Sequence, residues 1–135
     1  RHRPDGRYKY GGAVLGGDGR IYCLPSDADR VLRVDPATEE VVCVGPPGGG
    51  GGGPAAHNQW QNGYLARDGC VYAIPCNARG VLRIDCATQE VSTVGALGAG
   101  FEKWEGGVVG LDGAMYCIPQ NAKRVMRIVP GPPPS

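Results

Sequence analysis

Histidine is nearly absent from this 135-residue chain: there are two, His2 and His57, and neither stands at a position that recurs. A nucleophile, a base and an orienting group therefore cannot be assembled from recurrent positions, and no serine sits in a nucleophile elbow, so no catalytic residue is assigned. Six cysteines are present without a CxxC pair, which leaves the closed Cys and His quartet of a structural zinc site without suitable spacing. No metal and no other cofactor is expected. Charge of one sign is also lacking. Lys and Arg number 14 against 13 Asp and Glu, and a net charge of +1 supplies no basic field for nucleic acid and no acidic field for cations. No run of about 18 apolar residues exists, which excludes a membrane-spanning helix. An initiator Met and a signal-peptide core are missing as well, and the pattern begins abruptly at Arg1, as expected of a piece processed or excised from something longer.

Glycine and proline are abundant, at 24 and 12 residues. That level marks disorder when the residues are scattered without period; here most recur at fixed turn positions, which predicts order. Three segments, starting at Lys9, Gln59 and Lys103, align without internal gaps. Asp18, Asp68 and Asp112 lie 50 and then 44 residues apart, and Tyr10, Trp60 and Trp104 keep the same two spacings. The six-residue excess equals the tract Gly48 to Gly53, read as a flexible insertion in a loop between 44-residue units. A phosphate-cradling role for that tract fails, because no strand precedes it and no helix follows.

Each unit divides into short apolar runs bounded by turn signals; in the first they are Gly12 to Leu15, Ile21 to Leu24, Val31 to Val34 and Val41 to Val44. Asp18-Gly19, Asp68-Gly69 and Asp112-Gly113 predict tight hairpins, because glycine accepts positive φ and Asp can bond a nearby backbone N–H. The segments from Asp35 and Asp85 carry the same chemistry, and Asp27, Asn77 and Asn121 mark the remaining turn of each unit. Four-residue runs broken by Gly, Pro and Asp-Gly leave no space for a helix of about ten residues.

The Trp-x-Gly-Gly opening, the Asp-Gly turn, the Tyr-x-Ile-Pro run and the Val-Leu-x-Ile-Asp-Pro-x-Thr segment resemble a β-propeller repeat of the general kelch or WD class across residues 9–130. The WD dipeptide and the usual kelch double glycine are absent. The resemblance implies an all-β partial propeller of about three four-stranded antiparallel blades. The last is incomplete, since the third copy stops at Pro130 and the tail GPPPS offers no fourth strand. The division expected is an N-terminal extension (1–8), blades at 9–45, 59–95 and 103–130, a Gly-rich linker (46–58), a loop (96–102) and a Pro-rich tail (131–135). A closed ring takes about 4 to 8 blades, so further blades are expected from self-association through the open edges or from a protein partner.

Function does not follow from such a fold. With no catalytic set visible, the first expectation is a non-enzymatic binding or assembly module, a scaffold or accessory subunit. The alternative is a lectin-like or other small-ligand binder. In it Tyr10, Trp60 and Trp104 form an aromatic mouth, supported by Asp27, Asn77 and Asn121; against that stands the reading of these rings as wedges between blades. A third reading is a propeller hydrolase with carboxylates gathered at the ring centre. Asp18, Asp68 and Asp112 are assigned to turns, and Arg33, Arg83 and Arg127 to contacts between blades or hairpins. Cys23 and Cys117 occupy equivalent positions with Ala73 between them, while Cys43, Cys70, Cys76 and Cys86 each occur in one copy only. Reduced thiols are therefore favoured over a disulfide framework.

Overall fold

The computed structural model describes residues 8–47, 57–98, 100 and 102–134. His2, the tract Gly48 to Gly53, nearly all of the N-terminal extension and Ser135 lie outside the described residues. Three antiparallel sheets follow one another along the chain. The first holds β1 (Tyr10–Leu15), β2 (Ile21–Pro25), β3 (Val31–Asp35) and β4 (Glu40–Val44), paired in that order. The second holds β5 (Trp60–Leu65), β6 (Cys70–Pro75), β7 (Val81–Asp85) and β8 (Val91–Val94). The third has three strands, β9 (Trp104–Val109), β10 (Met115–Pro119) and β11 (Met126–Ile128). The chain is thus all-β, with the last blade one strand short. Among the described residues no helix is long and apolar enough to cross a membrane.

Local chemistry sets the hairpins. Gly19, Gly69 and Gly113 take φ of 82°, 83° and 83°, which a side chain resists. The preceding aspartates each accept the backbone N–H two residues on, from Arg20, Cys70 and Ala114, at 3.0, 3.0 and 3.1 Å. Their other oxygens accept the hydroxyls of Tyr22, Tyr72 and Tyr116 at 2.6, 2.6 and 2.5 Å, tying the second strand of each sheet to its own turn. Asp35 and Asp85 accept from the N–H of Ala37 and Ala87 in the same manner.

The first strands begin earlier than apolar runs predict, because each carries a bulge. Tyr10 faces Pro25 but Ala13 faces Cys23; Trp60 faces Pro75 but Gly63 faces Ala73; Trp104 faces Pro119 but Gly106 faces Ile118. The bulged positions hold Gly11, Gly12, Gln61, Asn62 and Glu105, which an apolar count passes over.

Strand periodicity then decides the packing. In the middle sheet Val71, Ala73, Leu82 and Ile84 enter one core with Tyr22, Leu24 and Val31 of the first sheet. The alternate residues Tyr72, Ile74 and Val81 enter a second core with Trp104, Met115, Cys117 and Ile128 of the third. Every residue of β6 is buried as a result. Among the described residues the terminal sheets each mate on one face only. Ile74 is 1 % exposed, whereas Ile118, its counterpart on the outer face of the third sheet, is 55 % exposed; Val81 and Val125 contrast in the same way. Leu15 and Val41 are bare on the outer face of the first sheet. Each such side chain left in water forgoes about 1.5–3 kcal/mol of burial.

Candidate functional site

The two ends of the sheets differ in chemistry. One end carries the Asp-Gly turns and the three repeated arginines, in contacts within and between sheets. Arg33 donates to Gln89 Oε1 of the next sheet at 2.6 Å and pairs with Glu40 at 3.2 Å. Arg83 donates to the Tyr72 hydroxyl at 3.3 Å, and Arg127 lies 3.5 Å from Asp112 and over the Tyr116 ring. Burial alone would raise the Asp68 carboxyl, but the hydrogen bonds from Tyr72, Cys70 and Gly131 outweigh it and hold the group below the ordinary carboxylate value. The Tyr116 hydroxyl and the Ala114 N–H hold Asp112 low as well.

The other end, where the first strand of each sheet begins, receives the aromatic and amide positions singled out in the sequence. Trp60 is completely buried and donates its indole N–H to the carbonyl of Gly80 at 2.9 Å; Trp104 is nearly so and donates to Arg124 at 2.8 Å. Tyr10 is half-buried, opposite Pro25, and burial raises its hydroxyl pKa. An aromatic mouth is therefore corrected: the indoles are covered and hydrogen-bonded, and a covered ring offers no stacking face.

Asp27 and Asn77 act as joints. By its backbone N–H each bonds the lead-in of its own sheet, at Tyr8 and Asn58, and by its side chain the lead-in of the next. The Asp27 carboxylate accepts the Asn58 N–H at 2.8 Å, and the Asn77 side-chain oxygen accepts the Glu102 N–H at 2.6 Å. Asn121 makes the backbone bond to Glu102. Asp27 and Asn77 thus hold neighbouring sheets together, and the Asn121 bond runs to the third sheet's own lead-in.

Around the joints lies a polar group that the sequence did not reveal. His57 Nδ1 is 3.8 Å from Asp27 Oδ1, and the Asp27 side chain is only 1 % exposed while that of His57 is 34 % exposed. Asp27 Oδ2 is buried and accepts no hydrogen bond among the described residues. Asn77 Nδ2 donates to the His57 carbonyl at 3.0 Å, fixing the backbone beneath the imidazole. Gln61 Nε2 donates to the Asn58 side-chain oxygen, and Asn62 Nδ2 donates to the Glu105 carbonyl at 2.7 Å, linking the bulges of two first strands. Lys103 is buried, donates to the Gly100 carbonyl at 2.9 Å, and is held below the ordinary amine pKa by that burial. Asn58, Asn62 and Glu102 all take left-handed φ, of 50°, 61° and 48°. Strained non-glycine backbone of this kind clusters at working sites. An imidazole against a buried carboxylate, with the Asn77 amide bonded to the carbonyl of the same histidine, has the parts for proton transfer.

Elsewhere the six cysteines are free, and burial lifts the thiols of Cys70 and Cys76 to about 11 and that of Cys117 to about 12. Among the described residues no three side chains of His, Cys, Asp or Glu gather as a metal site.

No protein-family model and no curated protein matches the chain. Solved structures do. Virginiamycin B lyase from Staphylococcus aureus superposes with a TM-score of 0.66 at 10 % identity, over 87 % of this chain and 37 % of that one. A catalytically inactive histidine-to-alanine variant of that lyase, with quinupristin, gives 0.65. A streptogramin B lyase gives 0.63 at 16 % identity, over 91 % of this chain and 41 % of that one. Hydrazine synthase of Kuenenia stuttgartiensis gives 0.57 at 17 % identity, over 84 % and 30 %. The likeness is one of fold, of the β-propeller type, and the chain spans about two fifths or less of the length of these structures.

The expectation of a non-enzymatic binding or assembly module, with no enzyme activity, is corrected here. Solved structures that share the fold include the virginiamycin B and streptogramin B lyases, which are enzymes, and His57, outside the recurrent positions from which no catalytic set could be assembled, lies 3.8 Å from Asp27. The lectin-like alternative goes with the aromatic mouth that carried it.

Proposed function

We propose that this chain carries part of the active face of a propeller enzyme of the lyase or hydrolase kind, with His57 as the proton-accepting base and Asp27 as its positioning partner. The observation that carries the reading is the contact of a nearly fully buried carboxylate with an imidazole one third exposed, 3.8 Å apart. A carboxylate beside an imidazole is the pairing that general-base catalysis uses. The amides of Gln61 and Asn62 and the Glu105 side chain, on the bulges of β5 and β9, are the groups available to orient a substrate or return the proton. That a lyase of similar fold is inactive in a histidine-to-alanine variant supports a histidine in this role.

The reading takes residues 9–45, 59–95 and 103–130 as three tandem 44-residue blades of one ring. The two bare outer faces are covered by further blades, supplied by a longer polypeptide or a partner chain, since about 4 to 8 blades close a ring. Streptogramin B compounds such as quinupristin are the first substrates to assay, with generic esters beside them. Product formation followed by mass spectrometry is expected to fall at least about 100-fold in His57→Ala and by a smaller factor in Asp27→Asn, which keeps an oxygen for the Asn58 N–H. Turnover unchanged in both variants overturns the assignment.

A further inference from the structure

The junction between the first and second sheets differs from that between the second and third in one respect, and the difference outlines a binding site. At the first junction two residues of the second sheet's outer hairpin reach back. Val91 seats over Gly45, so closely that a methyl group on that glycine would meet the Val91 Cβ at 2.5 Å. Gln89 accepts from Arg33 at 2.6 Å and donates to the Tyr22 hydroxyl at 2.8 Å. At the second junction the receiving half carries the corresponding residues. Gly95 follows β8 with φ of 84°, as Gly45 follows β4 with φ of 80°. Arg83 and Tyr72 hold the positions that Arg33 and Tyr22 hold in the first sheet, and here Arg83 donates directly to the Tyr72 hydroxyl. Among the described residues the donating half is missing, because none of them forms a strand on the outer edge of β11. Above Gly95 the nearest atom to an added methyl is Leu97 Cγ, at 3.9 Å. In place of the strand is a cavity of about 380 Å³, lined by Tyr72, Arg83, Val94, Gly95, Met126 and Ile128.

The described residues after β11 do not fill it. Pro130 and Gly131 are drawn across to the Asp68 turn, where Arg67 donates to both carbonyls and the Gly131 N–H donates to Asp68. The prolines that follow have no N–H for a sheet.

We propose that this cavity and the free edge of β11 form a strand-acceptor site for an extended segment of a second polypeptide. The segment adds antiparallel to β11 as the missing fourth strand. It carries a glutamine-like amide for Arg83 and Tyr72 and, two residues on, a β-branched apolar side chain for the seat over Gly95. Backbone bonds along β11 supply affinity and the two pockets supply selectivity. The inference is independent of the catalytic reading, which concerns the opposite end of the sheets.

A fluorescent peptide copying residues 88–95 serves as probe, titrated into the intact chain with hydrogen exchange followed in parallel. The expected result is saturable one-to-one binding with protection of the Met126–Ile128 amides. The same peptide with Val91→Asp is expected to bind at least about tenfold more weakly, since the apolar side chain supplies much of the buried area. Gln89→Ala in the peptide should weaken binding by a smaller factor. Absence of binding, binding that leaves β11 unprotected, or equal binding of the Val91→Asp peptide each overturns the proposal. So does a dimer of the chain through β11 that the peptide fails to dissociate.

Discussion

Trp60 donates its indole N–H to the carbonyl of Gly80, 20 residues further along the chain, and Trp104 makes the same bond to Arg124 over the same interval. The two bonds have different surroundings, since Gly80 is buried and Arg124 exposed. Trp60→Phe leaves a buried carbonyl unsatisfied and is expected to cost about 1–3 kcal/mol beyond the lost ring area. Trp104→Phe should cost less, because water can reach the Arg124 carbonyl. Urea unfolding of the two variants checks the order; equal losses would show that the hydrogen bond contributes nothing specific at Gly80.

The Asp-Gly turns should impose an acid limit on stability. Asp68 and Asp112 are held below the ordinary carboxylate value. Their contribution is therefore complete above the unfolded value of about 3.9 and is lost as pH falls through the lower folded values. Asp68→Asn, which removes the charge that receives the Tyr72, Cys70 and Gly131 donors, is expected to destabilise by about 1–3 kcal/mol at pH 7. The gap between the two proteins should narrow below about pH 4. Denaturation midpoints measured from pH 3 to pH 7 test this, and a gap constant with pH contradicts it.

Thiol reactivity should separate the cysteines by position. Cys43 is exposed and Cys23 half-buried, whereas Cys70, Cys76 and Cys117 are buried with raised pKa. The thiolate is the reactive form, so brief alkylation of the folded chain at pH 8 is expected to label Cys43 first and to spare those three. Peptide mapping reads the result. Rapid labelling of Cys117 would mean that the second and third sheets separate in solution.

Much of the architecture was legible because it rests on local chemistry. Asp18-Gly19 and its counterparts announce hairpins, and short apolar runs such as Ile21 to Leu24, bounded by turn residues, announce strands. What escaped depends on packing. Asp27 and His57 are 30 residues apart in different sheets and meet only when the sheets stack. His57 follows the glycine tract and belongs to no recurrent position, so a search for recurrence passes over it. The bulges at Gln61, Asn62 and Glu105 add one polar residue to a strand, which apolar counting reads as a later start. Trp60 and Trp104 were placed at the right strand ends, but no local signal says whether an indole faces solvent or the neighbouring sheet.

The claim on which the functional account rests is that the end of the sheets bearing His57 meets substrate. Amide chemical-shift mapping of the intact chain during titration with quinupristin tests it most directly. Shifts concentrated at His57, Asn58, Gln61, Asn62 and Glu105, and weakened in His57→Ala, are the predicted result; shifts confined to the turns at Asp18, Asp68 and Asp112, or none at saturating ligand, contradict it.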